Sequence, residues 1–121
     1  MHKALIVDDD HMIRMYLRVM LAELNFHDIH EAGNGEKAIK MAEQHQPELV
    51  LLDINLPDCD GIDLLEKLRT LIPDSKIMIV SSEATVDRIK MATDRGSIGF
   101  IVKPFSAAVV SQKIASIVKG D

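Results

Sequence analysis

The sequence is short of the residues that staple, span or anchor. It contains one cysteine, Cys59, so no internal disulfide can form, which agrees with a reducing compartment. No apolar run exceeds four residues, as in ALIV at residues 4–7, far below the stretch of about 20 that a membrane helix needs. The basic start MHKALIV leads into three aspartates, without the longer apolar stretch and cleavage site of a secretory signal. A cytoplasmic location is expected. Excess positive charge is also missing: 14 Lys and Arg against 19 Asp and Glu give a formal charge of −5, the wrong sign for holding a phosphate backbone. Any DNA-binding output would need another polypeptide.

What is present fits one domain. A globular chain of 121 residues buries roughly two thirds of its unfolded surface, enough for a self-supporting core but leaving no room for a second domain. Four short apolar runs each end in a polar residue: ALIV before Asp8, LVLL before Asp53, KIMIV before Ser81 and FIV before Lys103. Runs of this kind read as buried parallel strands. A weaker strand of mixed polarity, HDIHEA at residues 27–32, suits a sheet edge. Helical spacing fills the intervals: Met12, Met15, Tyr16, Val19, Met20 and Leu24; Ala38, Ile39 and Ala42; Leu64, Leu65, Leu68 and Leu71; Val86, Ile89 and Ala92; Val109 or Val110, Ile114 and Ile117. Asn34-Gly35, Pro47, Asp60-Gly61, Pro73-Asp74, Gly96 and Pro104 punctuate the boundaries.

Strict strand-helix alternation implies a parallel sheet with helices on both faces, because right-handed crossovers return every strand in the same direction. All strand C-termini then share one edge, where ligands of such sheets bind. Asp8, Asp9, Asp53, Ser81 and Lys103 fall at those ends, so five residues distant in sequence become one candidate site. Taken singly, each aspartate reads as a helix cap or solvated turn, Lys103 as a surface lysine and Ser81 as a cap. Asp10 reads as a first-turn acid favouring the helix dipole.

Carboxylates gathered at one edge repel by about 4 kcal/mol per pair at 4 Å with an effective dielectric near 20. A cation should sit among them, and hard oxygen ligands favour Mg²⁺, with Mn²⁺ an acceptable substitute. Lys103 supplies a point charge for a phosphoryl oxygen and the Ser81 hydroxyl can donate to another. Such groups neutralise charge developing as a phosphoryl group moves to a carboxylate.

The motifs IVDDD at 6–10, LLDINLPDCDG at 51–61, IVSSEA at 79–84 and GFIVKPF at 99–105 give the chain, over residues 1–121, a strong resemblance to receiver domains of two-component response regulators. The resemblance implies a (βα)5 flavodoxin- or CheY-like fold with a five-stranded parallel sheet of order 2-1-3-4-5. It also implies that Asp53 is phosphorylated in a phosphorelay, by a sensor histidine kinase or histidine phosphotransfer protein. Such a chain is not an enzyme; it assists only its own phosphorylation and dephosphorylation. By the same resemblance, Asp9 is the direct metal ligand and Asp8 acts through water, while Asp53 and the Asn55 backbone carbonyl complete the protein's ligands. Lys103 contacts the phosphoryl group and precedes a cis proline, Pro104. Ser81 and Phe100 form a switch in which Ser81 moves to the phosphoryl group and Phe100 turns inward. Asn55 and Glu83 tune the approach of hydrolytic water and imply a short-lived aspartyl phosphate. The output surface is the fourth helix, fifth strand and fifth helix, which would meet a downstream protein, an attached effector domain or a second copy.

Phe100 also reads as plain core packing, in alternation with Ile98 and Val102. The last helix is unusually apolar through Ala107, Ala108, Val109, Val110, Ala115, Ile117 and Val118, and its outer side is expected to dock a partner. Ser82 stands where a small residue such as Ala is common in the family, and Phe100 lacks the hydroxyl that some members carry.

Other readings compete. A haloacid-dehalogenase-like phosphatase also uses Asp, Mg²⁺, a hydroxyl and Lys, and Asp8-Asp9-Asp10 mimics its DxD signature; Met12 stands where Thr or Val is expected. GNGEKA at 33–38 imitates a dinucleotide fingerprint but follows the edge strand, so a turn anchored by Asn34 is expected. The five histidines show no metal-ligand spacing and read as surface residues, and Cys59 reads as an exposed bystander.

Overall fold

The computed structural model describes the backbone of residues 2–119 and the side chains of residues up to 117. The expected contribution of the Val118 side chain lies outside the described residues. The elements alternate in the order β1 (His2–Val7), α1 (His11–Glu23), β2 (Phe26–Ala32), α2 (Gly35–His45), β3 (Leu49–Leu52), α3 (Gly61–Leu71), β4 (Lys76–Ser81), α4 (Val86–Asp94), β5 (Gly99–Val102) and α5 (Ala107–Lys119). The five strands pair in parallel in the order β2-β1-β3-β4-β5, as the resemblance implies.

The apolar runs are explained by burial on both faces of the inner strands. Side-chain alternation divides them between two cores. Leu5, Val7, Val50, Leu52, Ile77 and Ile79 meet Ala38 and Ala42 of α2, Leu64, Leu65 and Leu68 of α3, and Ala92 of α4. Ala4, Ile6, Leu49, Leu51, Met78, Val80 and Ile101 meet Leu17, Met20 and Leu21 of α1 and Val110 and Ile114 of α5. The two outer strands are less uniformly buried than the inner ones. β2 carries His27 and Asp28, then His30 and Glu31 beyond Ile29, and in β5 only Ile101 is buried.

Polar residues at the helix starts fix where the strands end. Asn34 caps α2 through its side chain, as expected. Asp10 is the N-cap of α1, accepting from the amides of Met12 and Ile13, rather than a first-turn acid. Thr85, not Ser81, caps α4. Each such cap satisfies an amide that has no partner within the helix.

Three sequence expectations about faces need correction. In α1, Met12, Met15, Tyr16 and Val19 are exposed, Met12 at 68%, while Ile13, Leu17, Met20, Leu21 and Leu24 face the sheet. Both sets have helical spacing, and the sheet took the one richer in leucine and isoleucine. Tyr16 instead stacks on Phe105, with ring centroids 5.7 Å apart. Val86 at the start of α4 is 82% exposed rather than part of its inner face. Ile98 and Val102 are exposed and Ile101 is buried, so β5 does not place Phe100 in a core row with its alternate neighbours.

Candidate functional site

Three strand ends bring the acidic residues and the lysine together. Asp8 follows β1, Asp53 follows β3, and Lys103 follows β5, each one residue beyond its strand. Adjacent registers, with Val7 opposite Leu52, set the two aspartates side by side. The Asp53 amide donates to the Val7 carbonyl at 2.9 Å, extending the ladder to the site. Lys103 Nζ donates to Asp8 Oδ2 at 2.7 Å and to Asp53 Oδ2 at 3.0 Å. Asp9 is exposed at the rim, and carboxylate oxygens of Asp8, Asp9 and Asp53 lie within 4.8 Å of one another.

Burial makes this charge arrangement costly. Asp8 is 1% exposed and Asp53 is 5% exposed. Burial pushes the Asp8 carboxyl above its ordinary value, against the opposing pull of its hydrogen bonds from Lys103 and the Asp10 amide. Burial works to lower Lys103, but its hydrogen bonds to Asp8 and Asp53 outweigh that and leave its pKa raised. The ammonium is thus firmly charged. One lysine faces two buried carboxylates and a third at the rim, an oxygen-rich excess of negative charge that suits a small hard cation.

Ser81, fully buried at the end of β4, accepts a hydrogen bond from the Glu83 amide at 3.2 Å. The Asn55 amide donates to Asp53 Oδ1 at 3.0 Å, which places this residue against the central carboxylate. Phe100 is half-buried against the core on the α2 and α3 side, and the Lys103–Pro104 peptide is cis. Glu83 turns to α4, where its Oε1 lies 2.8 Å from Arg88 Nε. The structure therefore brings Asp8, Asp9, Asp53 and Lys103 together, with Asn55 bonded to Asp53; Ser81 and Glu83 are bonded to each other at the end of β4, and Phe100 lies on β5, three residues before Lys103.

The loop after Asp53 is held by contacts with no strong signal in sequence. The Gly61 amide donates to the Ile54 carbonyl at 2.6 Å, and a Cβ on Gly61 would lie 2.5 Å from both the Asp53 carbonyl oxygen and Ile54 Cα. Only glycine permits this approach. Asp58 accepts from the amides of Gly35 and Glu36 at 2.8 and 3.0 Å, tying the loop to the start of α2. The GNGEKA segment is accordingly a turn and helix start whose amides are met by a carboxylate of the chain itself. Cys59 is half-buried beside Gly35 rather than exposed, and burial raises its thiol pKa, which makes it a poor nucleophile. Asp60 caps α3 and accepts from Arg88 Nη2 at 2.8 Å; the Arg88 bond holds its carboxyl below the usual range. Behind the pocket, Arg14 donates to the Asp8 carbonyl and, with Arg18, to Glu31. His30 and His45 stack with centroids 3.5 Å apart rather than standing as separate surface residues.

Comparison with known proteins agrees with this geometry. Residues 4–115 match the family model of the response regulator receiver domain. The chain is 34% identical over 113 residues to the chemotaxis protein CheY of Bacillus subtilis, covering 93% of this chain and 94% of that protein. It is 36% identical over 106 residues to the transcriptional regulatory protein PdtaR of Mycobacterium tuberculosis, covering 86% of this chain and 50% of that protein, so it spans about half the length of that relative. Among solved structures, the CheX–CheY–BeF3–Mg²⁺ complex of Borrelia burgdorferi contains a chain similar at a TM-score of 0.91 and 28% identity, covering 97% of this chain and 89% of that one. These matches leave the phosphatase alternative without support. Among the described residues no helix is long and apolar enough to cross a membrane. With the motifs, the sheet order and the acidic pocket in agreement, the chain belongs to the response regulator receiver domain family of two-component systems.

Proposed function

We propose that residues 1–121 act as a cytoplasmic phosphoacceptor switch in a two-component phosphorelay, with Asp53 as the accepting residue. The observation that carries this reading is the Lys103 ammonium bridging buried Asp53 and Asp8 at the strand ends. Phosphohistidine of a sensor kinase or phosphotransfer protein is the donor. Its P–N bond breaks as a P–O bond forms to an Asp53 oxygen, and the departing imidazole takes a proton. Lys103 neutralises one phosphoryl oxygen, and the Ser81 hydroxyl donates to another once it gives up its bond with the Glu83 amide.

Asp8, Asp9, Asp53 and the Asn55 carbonyl are the residues that would hold Mg²⁺, or Mn²⁺ in its place. When bound, that cation supplies charge neutralisation to the transferring phosphoryl group. Asn55 and Glu83 stand on the loops flanking the site and govern how water reaches the acyl phosphate. The chain assists only its own phosphorylation and dephosphorylation. Ser81 and Phe100 pass the change to the surface of α4, β5 and α5. A groove of about 580 Å³ there, lined by Ile98, Val109, Lys113 and Ile117 among others, supports that surface as the meeting place for a downstream protein, an attached effector domain or a second copy.

Intact-protein mass spectrometry after incubation with acetyl phosphate tests the proposal. A gain of one phosphoryl group that requires Mg²⁺ and is lost in Asp53→Asn is expected. Equal labelling of Asp53→Asn would overturn it.

A further inference from the structure

Arg88 reaches from α4 to both loops that flank the acidic pocket. Its Nη2 lies 2.8 Å from Asp60 Oδ1, in the loop after β3, and its Nε lies 2.8 Å from Glu83 Oε1, in the loop after β4. The Nε–H is not aligned on Oε1, so this second contact is an ion pair rather than a hydrogen bond. Both acidic residues have a second tie, Asp60 through the same Oδ1 and Glu83 through its backbone amide. Asp60 accepts the Ile62 amide at the start of α3 and pairs across a β-bridge with Asn55, whose own amide is on Asp53. The Glu83 amide is on Ser81 Oγ. A continuous path therefore runs from Asp53 through Asn55, Asp60, Arg88 and Glu83 to Ser81.

We infer that Arg88 is a positioning residue that clamps these two loops together and so holds Asn55 in register with Asp53. The planar guanidinium can serve two carboxylates from two nitrogens at once, which a lysine ammonium on the same stem cannot do in this geometry. The Arg88 side chain is 20% exposed and each carboxylate 41%, so the link is partly shielded from solvent on the arginine side. The inference also has a distinctive sign. Loss of a positive charge near an acidic pocket, by itself, tightens cation binding; loss of the clamp loosens it, because the Asn55 loop is no longer fixed.

The cation readout rests on the function proposed above, so the test has two parts on the full chain, comparing wild type, Arg88→Ala and Arg88→Lys. Free Mn²⁺ is counted by electron paramagnetic resonance, with Asp53→Asn reporting whether the ion sits in the pocket. Amide hydrogen exchange at Ile62 and Glu83 is measured without metal, with Leu51 as a reference for an intact core. Both Arg88 variants are expected to bind Mn²⁺ about threefold to fivefold more weakly, and to exchange Ile62 and Glu83 faster by a similar factor, the span a partly shielded ion pair transmits. Tighter binding in Arg88→Ala with wild-type behaviour in Arg88→Lys would mean a bare charge effect and overturn the clamp, as would unchanged exchange. If wild type binds no Mn²⁺, the cation reading falls, while the exchange comparison still decides the role of Arg88.

Discussion

Lys103 Nζ lies 2.7 Å from Asp8 Oδ2, so the side chain that ends β5 is bonded to the one that ends β1 from the far side of two intervening strands. The same ammonium holds Asp53 at 3.0 Å. Replacing Lys103 by Ala removes the cation from between two buried carboxylates. A loss of about 2–3 kcal/mol in the metal-free protein at neutral pH is expected, less than for a fully enclosed pair. Urea unfolding with and without Mg²⁺ checks it: saturating cation should restore most of the lost stability, and an equal deficit in both conditions would contradict the arrangement.

Acid should release the cation in a window set by Asp8. Its carboxyl is raised above 3.8, chiefly by burial, so cation affinity is expected to fall with a midpoint above the ordinary aspartate range. For folding the sign is the opposite of that for a carboxylate whose pairing outweighs its burial. A raised pKa in the folded state means stability that is complete below the unfolded value and is lost as pH rises through the folded one. The stability difference between wild type and Asp8→Asn, followed by thermal melting without metal, should therefore turn against wild type as pH rises through that range. A flat difference would argue against it.

Gly61→Ala tests the close approach of the loop to β3. Its Cβ would stand 2.5 Å from the Asp53 carbonyl oxygen and from Ile54 Cα, both backbone atoms that cannot swing aside. The backbone must move, at a cost of about 1–3 kcal/mol. Chemical denaturation should show that loss together with weaker Mn²⁺ binding, since the displaced segment carries Asp53.

Glu31→Gln probes the support behind the pocket. Burial works to raise the Glu31 carboxyl, but hydrogen bonds from Arg18 and Arg14 prevail and lower it. A depressed pKa contributes stability that is present above the unfolded value and lost as pH falls through the folded one. Removing the charge of this half-buried group should cost about 1 kcal/mol at neutral pH and nothing at strongly acid pH. Melting curves at the two extremes check it.

The fold and the pocket were legible because their signal is local. A buried parallel strand must be apolar along its length, and the polar residue that ends it falls at the shared edge whatever the packing details, which is how Asp8, Asp53, Ser81 and Lys103 were placed. What sequence missed depends on rotation or on reach. The exposed stripe of Met12, Met15, Tyr16 and Val19 has the same spacing as the buried stripe one residue away, so periodicity alone could not choose between them. Arg88, Glu31 and Asp58 each act through a side chain with a partner distant in sequence, Asp60 for Arg88, Arg14 for Glu31 and Gly35 for Asp58, at separations of 28, 17 and 23 residues, and nothing in their neighbours marks them. The cis peptide before Pro104 and the pairing of Ser81 with Phe100 came from family resemblance, since an isolated Lys-Pro pair favours trans.

The two rims of the sheet bear on how the molecule can associate. A strand approaching β2 would meet the imidazoles of His27 and His30 and the carboxylates of Asp28 and Glu31, and one approaching β5 would find only four residues to pair with. Neither margin offers the long, flat, uncharged backbone that recruits additional strands. Association by strand addition is thereby disfavoured at both margins, which leaves side-chain docking as the way a partner meets β5 and the helices beside it.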